Sequence, residues 1–170
     1  MKSIVILSGP IGAGKTTVAR ELVASAAGPV AHIEGDTFWS YIAKSAGMGQ
    51  QKNFRMITRA MTAATIPYAM ADYETFLDFS IPPWFLDTVR AVVSVRAVPL
   101  DYIVLRPSEV VCAARAAARP AGKITDYARY RDLYASFDEA EQFIIQDDES
   151  DATAVAARIW NGLNAGRFRL

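Results

Sequence analysis

Only one cysteine, Cys112, and one histidine, His32, occur among the 170 residues. A single thiol can close no internal disulfide and cannot build a thiolate metal cluster, which fits an intracellular, cytoplasmic protein. An excess of either charge is also missing: 18 basic side chains balance 18 acidic ones, and no basic block stands out. Nucleic-acid binding needs clustered Lys and Arg to displace counterions, so a polynucleotide partner is disfavoured. No apolar run approaches the ~20 residues of a membrane span. The apolar N-terminal run is one short strand long and leads straight into glycines, without the h-region or cleavage site of a signal peptide. Repeats, low-complexity tracts and linkers are absent too. With 52% hydrophobic residues, a chain of this length can bury one proper core, and residues 1–170 read as a single domain.

Against these absences stands one dense motif. Gly9-Pro10-Ile11-Gly12-Ala13-Gly14-Lys15-Thr16 fits G-x-x-x-x-G-K-[ST], preceded by Ile4-Val5-Ile6-Leu7 and followed by the amphipathic Val18, Ala19, Leu22, Val23 and Ala26. This is the order strand, phosphate loop, helix. Gly9, Gly12 and Gly14 remove Cβ atoms that would hold the backbone away from phosphate oxygens, so that N–H groups from Gly9 through Thr17, Ala13 included, can form an anion nest at a helix N-terminus. Lys15 is placed to meet β/γ-phosphates and the Thr16 hydroxyl to meet Mg²⁺.

The remaining chain alternates strands and helices. Val30 to Glu34 reads as a second strand leading to Gly35-Asp36, which puts Asp36 at the strand's C-terminal end, the edge where open α/β sheets bind ligands. Thr37 to Ala46 is expected as a short helix ending in Gly47-Met48-Gly49. A long helix follows with the stripe Phe54, Ile57, Met61, Ala64 and Tyr68, which Pro67 is expected to kink or end near Ile66. Glu74 to Phe79 is the third strand, with Asp78 near its end; Trp84 to Val95 is expected to be helical. Leu100 to Leu105 is the fourth strand. Ser108 is a candidate N-cap for a helix that carries Arg115 and Arg119 one turn apart and stops at Pro120. A second helix is expected from Asp126, with the stripe Tyr127, Tyr130, Tyr134 and Phe137. Gln142 to Ile145 is the fifth strand, and a last helix follows a cap at Ser150 or Asp151. The pattern predicts an α/β fold, a three-layer α/β/α sandwich around a five-stranded parallel sheet.

Absences narrow the chemistry again. No N-K-x-D stretch is present to read guanine, and Asp78 is followed by Phe79 rather than by a water-activating glutamate. Transfer to a bound second substrate is what remains. Ile33-Glu34-Gly35-Asp36, Leu77-Asp78-Phe79, and the helix with Arg115 and Arg119-Pro120 before the corner Ala121-Gly122-Lys123 together resemble the small-molecule kinases grouped around gluconate kinase, shikimate kinase and chloramphenicol phosphotransferase. The resemblance spans most of the chain, and its specific part is the phosphate loop. Shikimate kinases carry a glycine run after the third strand where this chain has Asp78-Phe79-Ser80-Ile81.

The resemblance implies ATP as phosphoryl donor with Mg²⁺, and a small hydroxylated acceptor. It implies that Asp36 contacts the acceptor hydroxyl and that Arg115 and Arg119 belong to a short lid around residues 115–126, with Lys123 a possible addition. Capping of the helix at Thr37 is the alternative for Asp36. Asp78 is a candidate for ordering a Mg²⁺-bound water or touching the acceptor, against a turn-capping alternative. Phe38, Trp39, Tyr41, Phe79, Trp84 and Phe85 are expected around the cleft, suiting an acceptor with an apolar or ring-shaped body. A nucleoside monophosphate kinase would need arginines for the acceptor phosphate. Asp72 to Val89 contains no Lys or Arg, which leaves Arg55 and Arg59 as candidate clamps, with solvated surface charge as their alternative. The expected acceptor is therefore a neutral or weakly charged metabolite or antibiotic. The competing readings are a nucleoside monophosphate kinase, a non-catalytic ATP-binding module, and a toxin-like kinase of a nucleotide sugar. His32 is expected to be a packed or hydrogen-bonded strand residue, and Cys112 buried and inert.

Overall fold

The computed structural model describes residues 1–44, 47 and 49–170. Strand β1 (Ile4–Ser8) is buried along its whole length, as a continuous Ile-Val-Ile-Leu run demands of a strand covered on both faces. It lies at the centre of a five-stranded sheet of order β2-β3-β1-β4-β5, with β2 (Val30–Glu34), β3 (Glu74–Asp78), β4 (Leu100–Leu105) and β5 (Ile144–Ile145). Every pairing is parallel. The register sets Leu7 beside Asp78 and Asp78 beside Glu34, so the ends of β1, β3 and β2 share one edge.

Helix α1 (Lys15–Ser25) packs on α7 (Ala152–Asn164), and α3 (Gln50–Met70) packs on α4 (Leu86–Val93), with the sheet between them. The expected three-layer parallel architecture is thus the observed one. Short α2 (Thr37–Ser40), α5 (Glu109–Ala117) and α6 (Arg131–Ser136) fill the crossovers. Ser108 does cap α5, accepting from the Val111 amide, and Asp151 rather than Ser150 caps α7.

Several boundaries differ from the sequence reading. Pro67 does not end α3, which continues to Met70. Its missing N–H costs one bond in the final turn, while Ala69 is fully buried and its carbonyl receives the Lys2 amide. The helix instead stops where Asp72 takes φ 63°. The Tyr73 amide returns to the Tyr68 carbonyl and the Asp72 amide to that of Ala69, with the Tyr68 and Tyr73 rings in contact. That is a Schellman stop built without glycine. Helix α2 ends at Ser40, and residues Ser45, Ala46 and Met48 of its expected span and following turn lie outside the described residues. Trp84 falls in a 3₁₀ turn ahead of α4, and Ser94–Arg96 form another after it. Residues after Asp126 form 3₁₀, α and 3₁₀ segments in turn, and Gln142 and Phe143 belong to the last of these rather than to β5. Helix α5 ends at Ala117, so Arg119 lies beyond it. No helix of the described residues is long and apolar enough to cross a membrane.

Candidate active site

The loop between β1 and α1 is pressed from behind. Gly9 has φ 136°, and a Cβ there would sit 2.1 Å from the Leu105 carbonyl oxygen; at Gly12, φ 84°, it would sit 2.1 Å from that of Cys112. These two glycines are required by the end of β4 and by α5, not only by the ligand side as the motif alone suggests. Gly14, φ 91°, faces the other way, toward the Arg115 guanidinium. Among the described residues the amides of Gly12 and Gly14 donate to no backbone carbonyl. The loop carbonyls, by contrast, are engaged: Gly9 accepts from Ser80 Oγ at 2.8 Å and Ile11 from the Tyr127 hydroxyl at 2.7 Å. Free donors at a helix N-terminus, with the acceptors tied down, make an anion site.

Lys15 is buried and donates Nζ to the Gly9 and Pro10 carbonyls at 3.2 and 3.0 Å. Burial pulls its pKa down to about 8, against the upward pull of the Asp78 and Asp36 carboxylates, and Arg119 lowers it further. A desolvated ammonium held only by neutral carbonyls favours an arriving anion.

Lys15 and Thr16 open into a cleft of about 1260 Å³ that also receives Asp36, Asp78, Arg115 and Arg119. Asp36 occupies the N-cap position of α2 but makes no capping bond, because its φ/ψ of −59°/−27° are helical rather than extended. Its exposed carboxylate has no hydrogen-bond or ion-pair partner among the described residues. Asp78, 5% exposed, ends β3, and His32 Nε2 lies 3.3 Å from its Oδ2. The histidine is hydrogen-bonded, as expected, but to a cleft carboxylate.

The segment after β3 is fixed by Ser8, whose hydroxyl donates to the Ile81 carbonyl at 2.7 Å and accepts from the Ile81 amide. Tyr102 adds a 2.6 Å bond to the same carbonyl. At the neighbouring strand tip, a Cβ on Gly35 would fall 2.6 Å from Phe79, so only glycine lets β2 turn against that ring.

Trp39 and Trp84 line the cleft with Phe79 and Phe54; Phe54 had read as a core residue. Phe38, Tyr41 and Phe85 do not line it. Phe85 is buried, and Tyr41 meets Phe38 edge-on while remaining exposed. Arg55 and Arg59 are not brought to the cleft either. Arg55 Nη1 donates to Thr88 Oγ1 at 3.1 Å and its guanidinium lies over the Phe85 ring. Arg59 borders a separate apolar groove between α3 and α4. Both sit further along α3 and face α4, whereas Gln50, Gln51 and Phe54 at its start meet the cleft. Lys123 is exposed and lies outside the cleft lining.

Sequence reasoning gave no site role to Glu34, Gln50, Gln51, Ser80 or Tyr127. Only the place of Ser80, two residues beyond a strand-end aspartate, offered a signal. Cys112 is buried, and burial pushes its thiol up to about 11.

A second cavity of about 260 Å³ adjoins the loop, lined by Gly14, Thr17, Pro107, Arg115, Asp147 and Val155 among others. Arg115 borders both spaces. For a divalent cation, Thr16 and Asp78 are oxygen donors on the main cleft, which Thr17, Glu34, Asp36 and Ser80 also line. No group of three or more His, Cys, Asp or Glu able to hold a metal occurs among the described residues. That set fits Mg²⁺, which is held through one or two carboxylates plus substrate phosphates and waters.

Among solved structures, the tunicamycin resistance protein of Deinococcus radiodurans superposes with a TM-score of 0.74 at 20% identity, covering 99% of this chain and 98% of that one. The APS kinase of Mycobacterium tuberculosis, in complex with AMPPNP and APS, gives 0.71 at 16% identity, covering 96% and 98%. Shikimate kinase from Acinetobacter baumannii, in complex with shikimate, gives 0.68 at 18% identity, covering 98% and 95%. The chain therefore shares the phosphate-loop kinase fold. No curated protein matches it significantly. A family model described as an AAA domain matches residues 4–139, and with the phosphate loop, the parallel sheet and the cleft in place, the chain belongs to that AAA domain family.

Proposed function

We propose that the protein is an ATP-dependent phosphotransferase that moves the γ-phosphate to a hydroxyl of a small molecule, with Mg²⁺ assistance. The observation that carries this reading is Asp36: a carboxylate with no partner among the described residues, in the same cleft as the buried Lys15 cation and close enough to oppose the lowering of its pKa by burial. A module that only bound nucleotide would have no use for a bare carboxylate there.

In this reading the triphosphate lies against the amides of Gly12 and Gly14 and draws Lys15 away from the loop carbonyls. Mg²⁺ between Thr16 and Asp78 would neutralise β- and γ-phosphate charge. Arg115 and Arg119 supply cations over the transferring group, and residues around 115–126 act as the lid. Arginine placed this way is worth on the order of 10³–10⁵ in rate. Asp36 orients the acceptor hydroxyl. As the oxygen–phosphorus bond forms and the bridge to the β-phosphate breaks, Asp36 takes the hydroxyl proton late, once bonding to phosphorus has made that proton acidic. The smaller cavity beside Arg115 takes the adenine. The place of action is the cytoplasm, where ATP is supplied.

The test is incubation of the purified protein with ATP, Mg²⁺ and a panel of hydroxylated sugars, polyols and antibiotics, tunicamycin included because of the solved neighbour. Phosphorylation of an acceptor supports the reading. Tight ATP binding with no acceptor phosphorylated across the panel favours the non-catalytic module instead.

A further inference from the structure

The basic side chains that line the main cleft among the described residues are Lys15, Arg20, Arg115 and Arg119. Three of them belong to the phosphate end. Lys15 is part of the loop, the Arg115 guanidinium stands over Gly14, and Arg119 is near enough to depress the Lys15 pKa. The fourth, Arg20, is 70% exposed at the rim and already faces Glu34 Oε1 at 3.6 Å. That pair cancels its own charge. The two arginines of α3 that could have reached an acceptor anion are committed elsewhere, Arg55 to Thr88 and the Phe85 ring, Arg59 to the far groove.

What the far end of the cleft does present is aromatic surface and negative charge. Phe54 stacks on Phe79 with centroids 5.6 Å apart. Trp84 leans edge-on against Phe85 at 5.3 Å and keeps 54% of its surface exposed. Large aromatics left open along a cavity wall are a ring-binding surface. Asp36 and Asp78 line the same cleft as that wall and the loop. An acid entering there would face like charge, and the described residues that line the cleft offer it no cation besides those at the phosphate end and the Arg20–Glu34 pair, a juxtaposition that interfaces use to reject wrong partners.

We propose that the acceptor site selects hydroxylated ring compounds without negative charge, uncharged or cationic, and rejects acids and phosphate monoesters. This rests on the phosphotransferase reading of the same cleft. It separates the chain from kinases whose acceptor carries a carboxylate or a phosphate.

Matched ring compounds that differ by one anionic group test it. Each of several nucleosides is titrated calorimetrically against its 5′-monophosphate, and glucose and glucosamine against glucuronate, into the full chain with Mg²⁺ and a non-hydrolysable ATP analogue. The expected result is binding of at least one uncharged or cationic ring compound about ten-fold or more tighter than its anionic partner. Trp84→Ala should weaken that binding several-fold and leave the affinity for the ATP analogue unchanged. Trp84→Arg should narrow the discrimination against the anion. Binding confined to anions, equal binding within the pairs, or no binding by any uncharged or cationic member overturns the proposal. Failure of the two readings can be told apart. Transfer to an anionic acceptor sinks this one and leaves a kinase, whereas selective binding of an uncharged ring that is never phosphorylated does the reverse.

Discussion

The Tyr127 hydroxyl donates to the Ile11 carbonyl at 2.7 Å, tying the segment after the proposed lid to the middle of the phosphate loop. Tyr127→Phe removes that bond and leaves a loop carbonyl free to rotate. ATP affinity should fall about 3- to 10-fold, the ~0.5–1.5 kcal/mol of one such hydrogen bond. Tyr134→Phe serves as the comparison, since its hydroxyl bonds the Pro107 carbonyl instead and should cost stability with a smaller effect on affinity. Calorimetric titration of both variants decides whether Tyr127 acts through the loop.

Lys15 should make the empty protein less stable. Its ordinary pKa of 10.5 falls to about 8 in the fold, so below pH 8 the native state holds a buried charge that the unfolded chain would solvate, at a cost of about 3 kcal/mol. Between pH 8 and 10.5 the unfolded chain binds the extra proton, and stability from this group rises with pH. Lys15→Met should therefore stabilise the nucleotide-free protein at pH 7 by up to ~3 kcal/mol in urea unfolding, with the gain shrinking above pH 8. The loss of its bonds to Gly9 and Pro10 offsets part of this. The variant should show no thermal shift with ATP. In the wild type, ATP affinity should hold steady up to about pH 8 and weaken above it as the ammonium is lost.

Asp36→Asn should separate binding from transfer. The amide keeps the shape but cannot accept the hydroxyl proton, so kcat should drop by about 10² or more while ATP affinity changes little. Lys15→Ala should lose both. Equal loss of ATP affinity in the two variants would contradict the division of roles.

The loop glycines offer a steric prediction. Gly12→Ala brings a methyl to 2.1 Å from the Cys112 carbonyl at φ 84°, so either the loop or α5 must move. ATP binding should be lost along with several kcal/mol of stability. Gly166→Ala, at φ 70° with nothing within 4 Å, should cost only the ~1–2 kcal/mol of the left-handed conformation and leave ATP binding intact. Circular dichroism melts and nucleotide titration of the pair check this.

The sheet and the loop were legible because their signals are local: a continuous apolar run at Ile4–Leu7, strand-end aspartates, and glycines at fixed offsets. The cleft residues that followed from strand ends or from the loop, Asp36, Asp78, Lys15 and Thr16, came together as read. What failed depended on rotation and packing. Arg55 and Arg59 carry suitable charge, but their direction is set by how α3 rolls against α4, which the spacing of Ile57 and Met61 does not reveal. Pro67 is tolerated because the buried Ala69 holds the turn after it, a tertiary effect that overrides propensity. Asp72 ends α3 at a left-handed position where a glycine would have been the readable sign. The two-residue β5 is fixed by pairing Val104 with Ile144 rather than by its own composition.

The contact that permits no side chain at Gly35, with Phe79 against it, joins the tips of two adjacent strands. The Gly35 amide also donates to the Asp78 carbonyl at 2.9 Å. Asp36 therefore rides on the rigid chassis of the sheet, and its offset from the phosphate loop is inherited from interstrand spacing. If the cleft turns over as proposed, its gating falls to the arginine side of the molecule, with Asp36 as the anvil.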